Sequence, residues 1–355
     1  MIESREKPSP EAIRKARVAN PEMRERDLAQ SLSISEADLI AAHCGENVIR
    51  IEPDAGKLLL GLEAVGEVMA LTRNESAVHE KIGIYEKVTV GREHAIVLGE
   101  QIDLRIFPKV WAHGFAVEKH SDDGVRRSLQ FFDAVGDAVH KVHLRPASNL
   151  HAYQNLIAQL ESADRSQVVR TVKTTPTSGE SGKDDDAAHA ELLRDRWSRM
   201  TDVHQLFAIL KKLNMTRHQA IRAIGEEYAW QLAPDTVGAM LRLAVSEALP
   251  IMCFVGNGGC VQIHSGPIHD VRPMGPWLNI MDATFHLHLR TDHICEAWAV
   301  RKPSKDGNIT SIEAYDANRQ MIIQFFGVRK EGSPEREDWR FLVENLPRIR
   351  QSTAA

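Results

Sequence analysis

The sequence predicts an α+β protein made of two tandem structural repeats, each a large, mainly antiparallel β-sheet preceded by helices. The first observation is an internal duplication: residues 74–145 align without a gap to the second half at an offset of 183, with Asn74 on Asn257. In this register 14 of 72 positions are identical, against roughly four expected by chance. The second and third observations are a helical and then a strand-like periodicity, in the same order in both halves.

Two helices are predicted at the start of each half. RDLAQSLSISEADLIAA (26–42) places apolar residues at three- and four-residue spacing on both sides of a turn at Ser33–Ser35. VHQLFAILKKLNMTRHQAIRAI (203–224) repeats this pattern, and Thr216 with Gln219 predicts a capping box at its second helix.

Strands are predicted after these helices, because the pattern changes to period two. Alternating segments are IDLRIF (102–107), GFAVEK (114–119), FHLHLR (285–290) and AWAVRK (297–302). QMIIQFFGV (320–328) is apolar enough for a strand buried on both faces. Asp-Gly pairs at 123–124 and 306–307 predict hairpin turns, so the sheets should be largely antiparallel.

A polar segment, TVKTTPTSGESGKDDD (171–186), separates the halves. Such a segment buries too little apolar surface to offset its ordering entropy, which favours a mobile linker. We therefore predict an N-terminal repeat at 1–162, a flexible polar linker at 163–189 and a C-terminal repeat at 190–355.

The composition favours a soluble cytoplasmic protein, with 43% hydrophobic and 26% charged residues. The N-terminal segment has no apolar signal region, and no run of 18 apolar residues predicts a membrane span. The four cysteines are scattered without a CxxC motif, as is typical of a reducing compartment. The net charge of −5 argues against a nucleic-acid partner.

His286 and His288 form a His-x-His pair on a predicted strand, where alternation places both rings on one face. This geometry suits a single metal ion, with His264, His269 or His293 as a conceivable third ligand. No acidic residue completes a known ligand set, and solvated strands also carry this pattern. The alternative function that it supports is a non-haem metal-dependent hydrolase.

His204 lies in RMTDVHQLF (199–207). If Thr201 caps the helix, His204 occupies the third helical position and flanks an apolar stripe. The predicted stripe consists of Val203, Leu206, Phe207 and Leu210. The helix dipole disfavours a protonated ring in the first turn, and a neutral imidazole is what iron or zinc binds. These residues alone leave open whether His204 is a metal ligand or a histidine satisfied by its surroundings.

The chain as a whole resembles the bacterial cytoplasmic hemin-transport and hemin-degrading proteins, the HemS/HmuS-like family. In the second half the resembling stretches are RWSRMTDVHQLF (196–207), LNMTRHQA (213–220), LPIMCFVGNGGCVQIHSGPI (249–268), MGPWLNIMDATFHLHLR (274–290), WAVRKPSKDGNITSIEAYD (298–316) and IQFFGVRK (323–330). In the first half they are NESAVHEKIGIY (74–85) and IDLRIFPKVWAHGFAVEKH (102–120). Both halves are covered, and as a set the motifs are specific.

The resemblance implies two repeats joined by a flexible linker, with haem (iron protoporphyrin IX) in a cleft between the halves. It also implies that His204 is the axial iron ligand and that Arg105 approaches the distal side. Positions that hold the propionates are matched by Arg217, Lys302 and Arg329. Positions that line the pocket are matched by Phe107, Phe254, Gln324 and Phe326. His79 is a hypothetical secondary haem contact, because this region contributes to a second site in some relatives.

The residue types agree with these assignments, since haem has flat apolar faces and one edge with two carboxylates. Strand alternation places Arg105 with Phe107, and Gln324 with Phe326, on a common face. Without the resemblance, Lys302 before Pro303 also fits a solvated strand end, Arg329 beside Lys330 fits one as well, and Phe254 fits core packing.

Two functions follow from the resemblance: haem trafficking and oxidative haem degradation that releases iron. The expected partners are an inner-membrane haem importer or a downstream haem oxygenase. For degradation, Arg105 would be the catalytic residue, donating charge-assisted hydrogen bonds on the distal side of the iron. An external electron donor would be needed, because the sequence has neither a G-x-G-x-x-G nor a P-loop motif in a strand-helix context.

Overall fold

The element order of the first half of the chain recurs in the second half. The computed structural model describes residues 7–172, 186–330 and 332–349, and their side chains except those of 186–188. The helices of the first half are α1 (Pro10–Ala19), α2 (Glu25–Ser31), α3 (Glu36–Ala41), α4 (Ala55–Val65) and α5 (Leu150–Leu160). Its strands are β1 (Val48–Ile51), β2 (Val68–Arg73), β3 (Ala77–Gly83), β4 (Val88–Val90), β5 (Ala95–Leu98), β6 (Asp103–Ile106), β7 (His113–Ser121), β8 (Gly124–Phe132) and β9 (Ala138–Leu144).

The second half carries the same series of elements. Its helices are α6 (Asp186–Ser198), α7 (Gln205–Leu213), α8 (Arg217–Ala223), α9 (Thr236–Ser246) and α10 (Glu337–Glu344). Its strands are β10 (Ala229–Leu232), β11 (Ile251–Gly256), β12 (Cys260–Gly266), β13 (Val271–Met274), β14 (Trp277–Met281), β15 (Phe285–Arg290), β16 (Glu296–Ser304), β17 (Gly307–Tyr315) and β18 (Met321–Gly327). Short 3-10 helices at Pro108–Val110 and Thr291–His293 also correspond.

The described residues divide into two compact units. The first comprises 7–73, 80–172 and Gly256–Gln262, and the second comprises Asn74–His79, 186–255 and 263–349 without residue 331. Each unit therefore includes a short segment from the opposite half of the chain. In the 183-residue register these two segments correspond to each other, because Asn74 aligns with Asn257.

Asn74 and Asn257 make the same local hydrogen bonds, which explains why both are asparagine. The Asn74 side-chain oxygen accepts from the backbone N–H groups of Ser76 and Ala77, at 3.0 and 2.9 Å. The Asn257 oxygen accepts from those of Gly259 and Cys260, both at 3.0 Å. Such Asx turns let the chain reverse between two strands. The structure thus confirms the internal repeat that the sequence predicts.

The strand order is also the same in both units. In the first, antiparallel strands lie in the order β1-β7-β8-β9-β2, with a separate run β4-β5-β6. In the second, the orders are β10-β16-β17-β18-β11 and β13-β14-β15. The predicted Asp-Gly hairpins are present, and Gly124 and Gly307 have φ values of +115° and +103° that favour glycine. The α+β fold with two repeats is confirmed.

Helices α7 and α8 are held on the sheet of the second unit by one apolar cluster. Leu206 and Leu210 of α7 pack with Ile221 of α8 and with Trp298 and Tyr315 of the strands beneath them. The predicted capping box of α8 is present: the Thr216 hydroxyl accepts from the Gln219 N–H, and the Gln219 side chain accepts from the Thr216 N–H. This cap fixes the start of α8, and therefore the position of Arg217, its first residue.

Two sequence-based predictions concern the linker and the apolar stripe of α7. Of the predicted linker, residues 173–185 lie outside the described residues, and 186–189 belong to α6. The predicted domain boundaries stay a prediction. The apolar stripe of α7 was wrong at Phe207, which is 69% exposed, whereas Leu206, Leu210 and Leu213 are buried.

Candidate functional site

A buried carboxylate, Glu313 of β17, holds two of the predicted propionate-binding residues together. Arg217 donates from Nε to Oε2 over 2.8 Å and from Nη2 to Oε1 over 2.6 Å, a bidentate ion pair. Lys302 lies with its Nζ 3.4 Å from Oε1 and donates to Ser311 Oγ over 3.2 Å. The hydroxyls of Ser311 and Tyr315 each donate to Glu313 over 2.8 Å.

Burial and charge pairing perturb every ionisable member of this group. Burial opposes ionisation of Glu313, which is 0% exposed, but Arg217 and Lys302 outweigh it and hold the pKa of this carboxyl well below its usual range. Burial, followed by the charge of Arg217, lowers the pKa of Lys302 to about 8. Lys302 is 3% exposed, so the alternative of a solvated strand end does not hold.

Two aromatic rings and an amide lie beside this ion group on β11 and β18. Lys302 Nζ is 5.1 Å from the centre of the Phe326 ring, a cation-π contact. Phe326 and Phe254 meet edge to face with their centroids 5.1 Å apart. Gln324 is paired across strands with Phe254 and with Glu313. Its Nε2 atom is buried and has no hydrogen-bond partner among the described residues.

Five predicted site residues are therefore brought together in the second unit through observed contacts. They are Arg217, Phe254, Lys302, Gln324 and Phe326. The combination of cations, a hydrogen-bond donor and aromatic rings is chemically suited to a flat apolar ligand that carries a carboxylate.

The sequence predicted His204 at the third position of its helix, and the structure shows that it does not lie there. It is the N-cap residue of α7, and its side chain does not cap the helix. The side chain of Gln205, the first helical residue, turns back and accepts from the backbone N–H groups of Thr201 and Asp202. The Thr201 carbonyl in turn accepts from the Lys305 N–H over 2.8 Å, which ties this segment to the β16–β17 turn. The His204 side chain is 82% exposed.

Asp202 orients the imidazole of His204. Its Oδ1 atom accepts from the backbone N–H of His204 over 2.8 Å and lies 2.7 Å from the ring Nδ1. These two hydrogen bonds, the backbone one first, lower the pKa of the Asp202 carboxyl. With Nδ1 directed at a carboxylate, Nε2 is the nitrogen that can coordinate a metal.

Arg105 and Phe107 lie in the first unit. Leu104 and Ile106 of β6 point into the core, and Arg105 and Phe107 alternate with them toward solvent, in agreement with the predicted period. The Arg105 guanidinium forms an ion pair with Asp103, two residues earlier on the same face. Burial raises the pKa of Asp103, and Arg105 opposes this shift.

The two remaining predicted residues have different environments. Arg329 follows the end of β18 and is partly exposed. His79 belongs to the second unit, is fully buried, and its ring lies 4.9 Å from that of Phe285. The ring of His264 is stacked on the same phenylalanine, Phe285, with the ring centroids 3.9 Å apart.

The alternative metal site at His286 and His288 receives no support. Within residues 7–172, 186–330 and 332–349, no group of three or more His, Cys, Asp or Glu side chains is arranged to hold a metal ion. The Nδ1 atom of His288 instead lies 2.6 Å from the Asn279 side-chain oxygen on the neighbouring strand. Among the described residues, the hydrolase alternative therefore has no ligand set.

Three candidate functional residues were not predicted from the sequence: Asp202, Glu313 and Tyr315. Asp202 could have been found from its spacing, since an Asp two residues before a histidine can form an Asx turn. Glu313 is the one charged residue in the strand segment TSIEAY, which is a signal of a buried ion pair. Tyr315 gave no comparable signal.

Among the described helices, none combines the length and the apolar character that crossing a bilayer requires. Residues 33–160 and 214–346 each match the model of the family described as "Haemin-degrading HemS.ChuX domain". The hemin transport protein HmuS of Yersinia pestis is 40% identical over 332 residues, which cover 93% of this chain and 95% of HmuS. The hemin transport protein HemS of Yersinia enterocolitica is 41% identical over the same length.

Solved structures agree with these sequence relatives. The structure of holo-PhuS, a heme-binding protein from Pseudomonas aeruginosa, matches with a TM-score of 0.91 and 40% identity, covering 96% of this chain and all (100%) of PhuS. The structure of ChuS, an E. coli heme oxygenase, matches with a TM-score of 0.82 and 35% identity, covering 90% and 95% of the two chains.

Proposed function

Because this chain belongs to the haemin-degrading HemS/ChuX family, we propose that it binds haem in a bacterial haem-uptake system, with His204 as the axial iron ligand. The observation that carries the proposal is the exposed imidazole whose Nδ1 is held by Asp202. A ligating histidine in proteins typically donates its second ring N–H to a carboxylate or carbonyl, which fixes the ring and increases its basicity.

The residues of the second unit fit haem as a ligand. Arg217 and Lys302 provide positive charge for a propionate, and the buried Nε2 atom of Gln324 is a donor that lacks a partner among the described residues. An unsatisfied buried donor is costly unless a ligand completes it. Phe254 and Phe326 supply apolar contact for the macrocycle. We assign Arg329 to a propionate as well, with a smaller contribution to affinity than the buried cations, because it is partly exposed.

In the first unit, we assign Arg105 to the distal side of the haem and Phe107 to the pocket lining. The Arg105 guanidinium is partly exposed and is oriented by Asp103. A planar, permanently charged donor at that place holds an anion by charge-assisted hydrogen bonds. His79, being buried, would contact a second haem only after a local rearrangement.

Two activities are compatible with haem bound in this way. HmuS and HemS are hemin transport proteins by name, and this suggests a carrier that receives haem from an inner-membrane importer and passes it to a downstream haem oxygenase. ChuS is described as a heme oxygenase, and this suggests degradation. When bound, haem iron supplies the redox chemistry, and an external donor must supply electrons. The proposed location is the cytoplasm, which agrees with four free cysteines.

The axial ligand is tested by absorbance titration of His204→Ala with hemin. The variant should lose the imidazole-type Soret band and at least about tenfold in affinity, because metal ligands dominate haem binding. The control is His120→Ala, which removes an exposed histidine of the first unit and should behave as wild type. Equal Soret spectra for wild type and His204→Ala would reject the assignment.

Carrier and degrading enzyme are separated by one assay. The purified haem complex is mixed with ascorbate and catalase, and the Soret band and released iron are followed. Catalase removes free peroxide, which bleaches haem without enzymatic control. Soret loss with stoichiometric iron release supports degradation, whereas a stable Soret band with transfer to a haem oxygenase supports a carrier.

A further inference from the structure

Glu313 determines the charge of the ion group to which the proposed function assigns a propionate. Arg217 and Lys302 each contribute one positive charge, and Glu313 contributes one negative charge, so that the group carries one net positive charge while Lys302 is protonated. All three are at least four-fifths buried, which strengthens the electrostatic interactions among them. A group of this charge is neutralised by one carboxylate.

The hydrogen bonds of Glu313 show that its position is fixed. Both carboxylate oxygens are occupied, by the two Arg217 donors, the Ser311 and Tyr315 hydroxyls and the Lys302 amine. A ligand carboxylate cannot easily displace a partner with so many bonds. It must instead bind to the remaining donor capacity of the group.

Unused donor capacity lies next to the group. The Nε2 atom of Gln324 is buried without a partner among the described residues, and Gln324 faces Glu313 across β17 and β18. The Lys302 ammonium has three N–H donors, of which Ser311 and Glu313 take two. The two oxygens of one ligand carboxylate can accept from these two donors, the Gln324 amide and the third N–H of Lys302. The hydrogen bonds between Arg217 and Glu313 are not affected.

The counterpart in the first unit shows that this charge arrangement is specific to the second half. Glu313 aligns with Gln130, and Gln324 aligns with Lys141, in the 183-residue register. Arg217 begins α8 directly after the capping residue, and the residue in the same place of α3 is Glu36. Glu36 is already paired with Lys141 and Arg73. The corresponding place in the first unit is thus occupied by its own ion pairs.

We propose that Glu313 makes the Arg217–Lys302 group a receptor for a single carboxylate, so that a porphyrin with one free propionate is sufficient for recognition there. This inference rests on the proposed haem-binding function. Glu313 is a specificity-determining and positioning residue: it orients Arg217 and cancels one of the two positive charges, and thereby prevents the group from requiring a second carboxylate.

The test compares hemin with its monomethyl and dimethyl esters, which carry two, one and no free carboxylates. Affinities are measured by Soret titration of the full chain. In wild type, the gain from dimethyl to monomethyl ester should be about tenfold or more, as for a charge-assisted hydrogen bond, and should exceed the gain from monomethyl ester to hemin. In Glu313→Gln the group has no carboxylate of its own, and Glu313 no longer helps Lys302 to keep its proton. Both carboxylates of hemin are then needed to balance Arg217 and a protonated Lys302, and the second gain should rise by about tenfold.

The control is Glu344→Gln, which removes one carboxylate from the same unit at an ion pair with Arg301 and leaves Arg217 and Lys302 untouched. Its ester pattern should equal that of wild type. Glu313→Gln leaves the buried cations Arg217 and Lys302 without their carboxylate partner and can therefore destabilise the fold. Lys302→Gln provides a second variant. Its group is neutral, and it should distinguish the dimethyl ester from the monomethyl ester by less than about threefold.

Two results would overturn the inference: equal gains for the first and second carboxylate in wild type, or an unchanged ester pattern in Lys302→Gln. The failure of the proposed function looks different, because in that case none of the three porphyrins would give an imidazole-type Soret band with wild type. Binding of all three porphyrins with the wrong ester pattern would reject only the role of Glu313.

Discussion

The Oδ1 atom of Asp202 lies 2.7 Å from Nδ1 of His204 and also accepts the backbone N–H of His204 over 2.8 Å. One carboxylate oxygen thus fixes both the backbone and the ring of the proposed iron ligand. Both side chains are largely exposed, so the pair contributes little to the stability of the fold. We infer that its importance lies in ligand binding, where the ring orientation and basicity matter.

Replacement of Asp202 should weaken haem binding without abolishing it. In Asp202→Ala the imidazole loses its acceptor, and loss of such a partner typically costs 10- to 100-fold in metal affinity. The Fe(III)/Fe(II) potential should rise, because a less basic imidazole stabilises Fe(III) less, and Asp202→Asn should give an intermediate value. Hemin titration and spectroelectrochemistry provide the two measurements.

The matched control for Asp202 is Asp195→Asn. This change removes an exposed carboxylate of α6 that is paired with Arg199. This variant should keep both the affinity and the potential of wild type. If Asp202→Ala also kept both values, the Asp202–His204 pair would have no role in haem ligation.

Haem affinity should decrease above pH 8. Burial lowers the pKa of Lys302 to about 8, with Arg217 adding to the shift and Glu313 opposing it. Above this pH the free protein loses the Lys302 charge, whereas a bound carboxylate favours the protonated amine. Binding therefore takes up a proton, and the affinity should fall by up to about tenfold per pH unit above pH 8.

The pH dependence is measured by hemin titration between pH 7 and pH 9.5. Lys302→Arg is the control, because its guanidinium keeps its proton over this range and should flatten the curve. Other groups that titrate there, including those of hemin itself, affect both proteins equally. Parallel curves for wild type and Lys302→Arg would show that Lys302 does not contribute.

The features that could be predicted from the sequence are local ones. The Asp-Gly turns and the Thr216–Gln219 capping box depend on neighbouring residues, and both occur as predicted. The repeat could be predicted because Asn74 and Asn257 serve the same turn. The predicted start of α7 was wrong, since Thr201 does not cap the helix: its backbone N–H donates to the side chain of Gln205, and the helix begins only at Gln205.

The ion group around Glu313 could not be predicted from residue patterns. Lys302 precedes a proline and follows Arg301 at the end of the alternating segment AWAVRK, so the pattern also fits a solvated strand end. It is buried because Glu313, on the neighbouring strand, and Arg217, at the start of a helix, meet it in the folded chain. Contacts between residues so far apart in sequence arise from tertiary structure, which no local period encodes.

Arg105 should affect ligands on the distal side of the iron more than haem binding itself. Its guanidinium is partly exposed and paired with Asp103 in the first unit, whereas the ion group that we assign to a propionate belongs to the second unit. Arg105→Ala should therefore keep hemin affinity within about threefold. Fluoride affinity of the ferric complex should fall by about tenfold or more, because one charge-assisted hydrogen bond to an anion is lost. If ascorbate drives degradation in wild type, its rate should fall as well. The control is Lys109→Ala. Lys109 is an exposed cation on the following 3-10 turn and pairs with Glu93, so this change should alter neither the hemin affinity nor the fluoride affinity. Unchanged fluoride binding in Arg105→Ala would place this arginine away from the distal side.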